Sequence, residues 1–294
     1  MANFSGKLNT IAQNTDSYLK SVFSKQNSKS HLIKSMKYGV FSGGKRFRSA
    51  IVVNTGKIFG INYKKLIIIG AAVECLHSYS LMHDDLPSMD DDDLRRGRPS
   101  THKKFNEFTA ILAGNSLLTL AFGILSSSDL KASQEIKTEL IRTLSNCSGH
   151  SGLAGGQYSD LTFENKNISK KKIIDMQKKK TGELFGFCCE STAVLKEENI
   201  KKRKLLREIG LQIGLLFQIV DDLIDYKGNS KIVGKPTRRD VKKGKATLID
   251  LLGYEETINF TKNLKKKINR QIKSYDTKTN DLIDSVEFIT ERKF

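Results

Sequence analysis

An all-α fold is predicted by three observations. Only three prolines occur in 294 residues, Pro87, Pro99 and Pro236, each beside a cluster of charged residues, so long helices are permitted almost everywhere else. The segment Arg207–Tyr226, REIGLQIGLLFQIVDDLIDY, sets Ile209, Ile213, Leu216, Phe217, Val220 and Ile224 at the three-to-four spacing of one helical face. Alternating strand patterns of comparable length are absent from the sequence.

In chain order, Lys64–His83 is predicted as the first long helix and carries the weakly polar run Leu66–Leu76. Asn106–Leu125 is the next, with the run Ile111–Leu125 interrupted by Asn115. Both runs fall short of the roughly 18 to 20 apolar residues of a membrane span, so no membrane insertion is expected. Lys131–Cys147, Lys171–Leu195 and Arg207–Tyr226 complete the helical set. There is no dinucleotide or phosphate-loop glycine fingerprint and no short-period repeat. No composition shift marks a boundary, and one domain over residues 1–294 is expected.

Fifty Lys and Arg against 32 Asp and Glu give a net charge of +18, a field that attracts nucleic acid, anionic lipid or phosphorylated small molecules. Met1–Leu19 lacks the apolar core of a secretory signal, which points to a cytoplasmic protein. Cys75, Cys147, Cys188 and Cys189 show no metal-ligand spacing and are expected to be reduced, buried thiols.

Within this basic chain, His83–Gly97 reads HDDLPSMDDDDLRRG and crowds six carboxylates, Asp84, Asp85 and Asp90 to Asp93, into ten residues. Such a cluster repels itself unless cations neutralise it. Hard divalent cations, Mg²⁺ above all, bind through one or two carboxylates plus substrate phosphates, although a solvated acidic loop or helix cap fits this segment equally well. The second cluster is more specific. Gln218, Asp221, Asp222 and Asp225 fall at i, i+3, i+4 and i+7, one stripe of a helix whose opposite stripe is apolar. Like charges at that spacing call for a counterion.

With DDxxxxD at Asp84–Asp90 and DDxxD at Asp221–Asp225 on separate helices, the sequence resembles the short-chain trans-prenyl diphosphate synthases, and among them the bacterial farnesyl diphosphate synthases. The likeness runs through FSGGKRFRS (Phe41–Ser49), Glu74–Phe105, GGQYSDL (Gly155–Leu161), KKTGELF (Lys179–Phe185), FQIVDDLIDYKG (Phe217–Gly228) and GKP…KGKATL (Gly234–Leu248). The resemblance implies an all-α bundle of ten or more helices around a central cavity, a homodimer, and Mg²⁺-dependent condensation of an allylic diphosphate with isopentenyl diphosphate. It further implies that Asp84 and Asp90 bind two Mg²⁺ and Asp221 a third, with Asp85, Asp222 and Asp225 as additional oxygens. An ideal helix would place Asp91, not Asp90, under Asp84, but Pro87 should break that regularity.

Arg and Lys beside these clusters suit diphosphate. By similarity, Arg95 serves the allylic diphosphate and Arg96 the isopentenyl diphosphate together with Lys45, Arg48 and His77; Lys180, Thr181, Gln218, Lys235 and Lys245 complete the allylic side. Ser49 replaces the proline usual in the family's GKRxRP motif, so a less rigid loop and weaker isopentenyl binding are expected there. His83 and His102 are expected to be packed or solvent-bridged rather than catalytic. The resemblance assigns product length to Tyr79 and Ser80, the residues one to two turns before Asp84, where a bulky ring would floor the cavity and give a fifteen-carbon product. A geranylgeranyl product is the alternative. A nucleic-acid binder fares worse, because the KKK and KKRK runs lack interleaved aromatics and two acidic clusters would repel a phosphate backbone. A terpene cyclase is set aside, since a cyclase needs no second diphosphate site, and a non-catalytic synthase subunit stays open as a further alternative.

Overall fold

The structure, a computed structural model, describes residues 2–227, 244–275 and 278–292. It divides into two compact units, one of Met1–Val53 and Ile61–Ile141, the other of Asn54–Gly60 and Arg142–Phe294. Helices α1 (Ala2–Ser24), α2 (His31–Val40), α4 (Tyr63–Asp84), α5 (Thr101–Lys104) and α6 (Glu107–Ser126) lie in the first unit, with the start of α3 (Phe47–Ile58). Polar caps fix where they begin: Ser30 accepts the Ile33 N–H before α2, Asn62 that of Lys64 before α4, and Asn106 that of Thr109 before α6.

α4 is the spine of this unit. Every residue from Leu66 to Leu76 is buried, and the helix packs on α1, α2 and α6. The membrane argument from the sequence needs correcting at this point, because it counted only uninterrupted apolar runs. As helices, α4 and α6 reach 22 and 20 residues with mean hydropathy 1.3 and 1.8, enough by length and composition to cross a membrane. In α4 the apolar window is 78% buried against protein, whereas α6 buries only 39% of its own. Between these helices lies a short antiparallel hairpin, β1 (Leu94–Arg95) and β2 (Arg98–Pro99). Its two-residue loop, Arg96 (φ 55°) and Gly97 (φ 73°), has the left-handed backbone that matches strand twist.

The second unit holds the end of α7 (Gln134–Ser148), then α8 (Leu153–Thr162), α9 (Lys170–Gln177), α10 (Glu183–Leu195), α11 (Ile200–Lys227), α12 (Leu248–Leu252), α13 (Tyr254–Lys273) and α14 (Asn280–Glu291). α10 and α11 pack most extensively, their backbones brought together where a side chain at Gly210 would meet the Phe185 and Gly186 backbone. Ile173, Leu215, Ile219, Leu223, Leu248 and Ile249 form a core cluster that anchors one side of α11.

Three helices differ from expectation. The helix expected over Lys131–Cys147 starts only at Gln134, because Lys131 is left-handed (φ 47°) after a 3₁₀ turn at Ser128–Leu130. The helix expected over Lys171–Leu195 is broken by a π turn, Lys178–Gly182, and α11 extends seven residues further towards the N-terminus than the apolar stripe indicated. All four cysteines are buried thiols, and burial pushes Cys75, Cys147 and Cys189 up to about 12.

Candidate active site

The first acidic cluster forms where α4 stops. Asp84 is the last helical residue and Asp85 the cap; the chain then doubles back, so that the Asp90 N–H donates to the Asp84 carbonyl at 2.8 Å and the Asp92 N–H to that of Asp85 at 3.1 Å. This turn, and not helical periodicity, sets Asp90 rather than Asp91 against Asp84. Asp91 takes a left-handed backbone (φ 49°). The carboxylates therefore gather at the negative pole of a long helix, a place that favours a bound cation.

The cluster splits by burial. Asp85 and Asp92 are buried and grip Arg95, whose Nε donates to Asp85 at 2.8 Å and whose Nη2 lies 3.4 Å from Asp92. Asp84 and Asp90 are half-buried and Asp91 and Asp93 exposed. Ligand atoms of Asp91, Asp93 and His102 lie within 4.8 Å of one another, although Lys103 already pairs with Asp93 at 2.9 Å. His102 is buried against Ser100.

Arg96, carried on the hairpin loop, reaches the Gly43 carbonyl. It fills the space beside Gly44 (φ 110°), where a side chain would collide with the guanidinium. Lys45 is exposed in the same loop. Arg48 donates to His77 Nε2 at 3.0 Å, which fixes the imidazole as neutral with its proton on Nδ1. Burial and then the Arg48 charge, with Arg96, Arg46 and Arg95 adding to it, hold His77 well below its ordinary 6.5.

The loop is anchored by a residue that sequence reasoning missed. Arg46 is 4% exposed, donates to Asp16 at 2.8 Å and to the Val40 carbonyl at 2.6 Å, and lies 3.8 Å from Glu74. Ser49 is not in a loosened loop. It sits in the first turn of α3, fully buried, with its N–H on Glu74 at 3.1 Å and its hydroxyl 2.7 Å from that of Thr15.

Tyr79 meets the His83 ring edge-on at 4.8 Å, and burial followed by the Asp84 carboxylate holds its hydroxyl above 10.0. Ser80 is buried and bonded to the His77 carbonyl. His83 reaches the Ile111 carbonyl at 3.1 Å, and burial lowers its pKa, so the ring packs as expected.

In the second unit, the stripe Gln218, Asp221, Asp222 and Asp225 diverges. Asp222 is buried and accepts from Gln177 at 2.7 Å and from Gln218 at 2.9 Å; Gln218 in turn accepts from Thr181 at 2.9 Å. Asp221, 42% exposed, instead pairs with Arg292 at 2.6 Å, whose guanidinium lies 4.1 Å from the Phe217 ring centroid. Asp225 is half-buried one turn on. Lys180 sits in the π turn and reaches Asp160 at 2.6 Å; Lys245 reaches the same Asp160 oxygen at 3.3 Å. A pocket lined by Asp160, Gln177, Lys180, Gln218, Asp222 and Lys245 results. Lys235 lies outside the described residues. Each unit thus offers half-buried hard oxygen donors suited to a divalent cation, beside cations suited to phosphate. Asp160, Gln177 and Arg292 were not singled out from sequence; Asp160 lies inside the quoted GGQYSDL, while nothing local marks Arg292.

Residues 29–286 match the family described as Polyprenyl synthetase. Over 226 residues, 76% of each chain, the sequence is 41% identical to a farnesyl diphosphate synthase of Bacillus subtilis. The fold matches the crystal structure of an FPP/GFPP synthase from Zymomonas mobilis with a TM-score of 0.87 and 35% identity, covering 98% of this chain and all of that one. It also matches a geranyltransferase from Helicobacter pylori complexed with magnesium and isoprenyl diphosphate, with a TM-score of 0.81, 29% identity and 96% of both chains covered.

Proposed function

The chain belongs to the polyprenyl synthetase family, and from that premise we propose that it is a prenyltransferase that joins an allylic diphosphate, first dimethylallyl and then geranyl, head to tail to isopentenyl diphosphate and delivers farnesyl diphosphate. The observation that carries this function is the presence of both aspartate sets, each backed by phosphate-binding cations, inside a family match that spans residues 29–286.

In the reaction the allylic C–O bond breaks, its electron pair leaves with the diphosphate, and the allylic cation is attacked by the isopentenyl double bond. Loss of a proton to the departed diphosphate completes the step, so no side-chain base is required. The half-buried carboxylates of Asp84 and Asp90 and that of Asp221 are hard oxygen donors that fit Mg²⁺, three ions in all, with Asp85, Asp222 and Asp225 behind them. When bound, Mg²⁺ supplies positive charge to the leaving diphosphate. Lys180, Lys245, Thr181 and Gln218 hold the allylic diphosphate, joined by Arg95, which Asp85 and Asp92 fix in place, and by Lys235. Lys45, Arg48, His77 and Arg96 receive isopentenyl diphosphate, and the neutral His77 leaves Arg48 to carry the charge there. Tyr79, with Ser80, sets product length; its ring lies close enough to Asp84 to feel that charge.

The partner is a second copy of this chain. α6 leaves Phe108 (66%), Ile111 (40%) and Leu112 (50%) exposed along one face, an apolar surface that a homodimer would cover. The protein works in the cytoplasm, with neither nucleic acid nor membrane as partner.

The experiment is a product assay with purified protein, Mg²⁺, dimethylallyl diphosphate and excess isopentenyl diphosphate, and an EDTA control. A metal-dependent fifteen-carbon product is expected. A twenty-carbon product would remove Tyr79 from its assignment, and no condensation at all would overturn the function.

A further inference from the structure

Among the pocket residues, Asp160 has no assigned role, yet it is buried and closely held. It is 6% exposed, and one oxygen, Oδ2, takes Lys180 Nζ at 2.6 Å and Lys245 Nζ at 3.3 Å. Two ammonium groups meeting on one anionic oxygen is the arrangement that a diphosphate oxygen would adopt between the same lysines.

The fold builds this contact deliberately close. Gly156, one helical turn before Asp160 on the same face of α8, faces the Lys180 backbone with no room for a side chain. α8 therefore seats directly on the π turn that carries Lys180, and π turns of this kind re-aim single side chains.

We propose that Asp160 is a positioning residue that holds Lys180 and Lys245 together where a diphosphate oxygen would sit and competes with the diphosphate for them, so that inorganic pyrophosphate is released after condensation. The inference rests on Lys180 and Lys245 being diphosphate ligands, as stated above. Its sign follows from charge. A buried carboxylate touching both lysines repels an arriving diphosphate at close range, and that repulsion outweighs the ordering of two lysine side chains. Removing the charge should therefore tighten the clamp rather than loosen it.

The test is Asp160→Asn, with Asp160→Glu as the conservative variant, in the full chain with Mg²⁺. Calorimetric binding of inorganic pyrophosphate should tighten at least fivefold in Asp160→Asn. In the same variant, kcat and the KM for geranyl diphosphate should fall together while the KM for isopentenyl diphosphate holds. Asp160→Glu should return all three towards the parent values. Unchanged or weaker pyrophosphate binding in Asp160→Asn, with thermal unfolding showing a folded protein, would overturn the proposal. If Asp160→Asn does not fold, Asp160→Ser, which also removes the charge, takes its place, and unchanged or weaker pyrophosphate binding in that variant overturns the proposal. A parent protein that binds pyrophosphate, tightens on Asp160→Asn and makes no prenyl product would sink the enzymatic function while sustaining the role of Asp160.

Discussion

At the scale of single residues, Ser49 shows how one position changes meaning once its surroundings are known. As a replacement for a loop proline it reads as a loss of rigidity; in the structure its N–H is one of the unpaired donors of a helix first turn, satisfied by Glu74. Ser49→Pro would delete that donor and leave the Glu74 carboxylate without it, while Thr15 keeps its bond to the Ile11 carbonyl at 2.8 Å, and should cost about 1–3 kcal/mol in urea unfolding. Stability unchanged by the substitution would show that the hydrogen bond contributes nothing.

His77 gives a pH dependence with a definite sign. Its folded-state pKa lies well below the ordinary 6.5, so beneath pH 6.5 the unfolded chain takes up a proton that the folded one refuses. Its contribution is intact above 6.5 and drains away as pH falls towards the folded value. Melting temperature should fall more steeply between pH 7 and 5 in the parent than in His77→Gln; parallel slopes would contradict the assignment. Asp84→Ala and Asp221→Ala should each lower kcat on the order of 10²–10³-fold or more with the fold intact by circular dichroism. Retained turnover would remove the metal assignment.

At the scale of elements, the parts that sequence made legible are those dictated by local rules. Pro87 marks the end of α4, and the doubled-back turn beyond it pairs Asp90 with Asp84. The apolar stripe of α11 locates its buried side. What was not legible depends on contacts between distant segments. The divergence of Asp221 from Asp222 follows from Arg292, 71 residues away, and the junction of Lys245 with Asp160 spans 85 residues. The π turn is hidden for a related reason: Lys178–Gly182 has unremarkable helical composition, and only the seating of α8 on it reveals the break. Gly156→Ala tests that seating. Forcing a methyl group against the Lys180 backbone should destabilise the protein by about 1–3 kcal/mol in thermal or urea unfolding. A neutral result would mean that α8 shifts freely.

At the scale of the whole molecule, the charge of +18 was ambiguous in the sequence, and the proposed function puts it to use on anionic diphosphate substrates. The all-α class was legible from proline scarcity and periodicity, whereas the partition into two units was not, since no composition shift accompanies it. The buried thiols carry a practical consequence for following the two units in solution. Every native cysteine is shielded, and three have their ionisation pushed up to about 12, so maleimide and nitroxide reagents at neutral pH should leave the native chain untouched. A single cysteine introduced on the surface of either unit then becomes a unique attachment point. A pair of them would turn the parent protein into a spectroscopic ruler, without the preliminary removal of native thiols that such labelling usually demands.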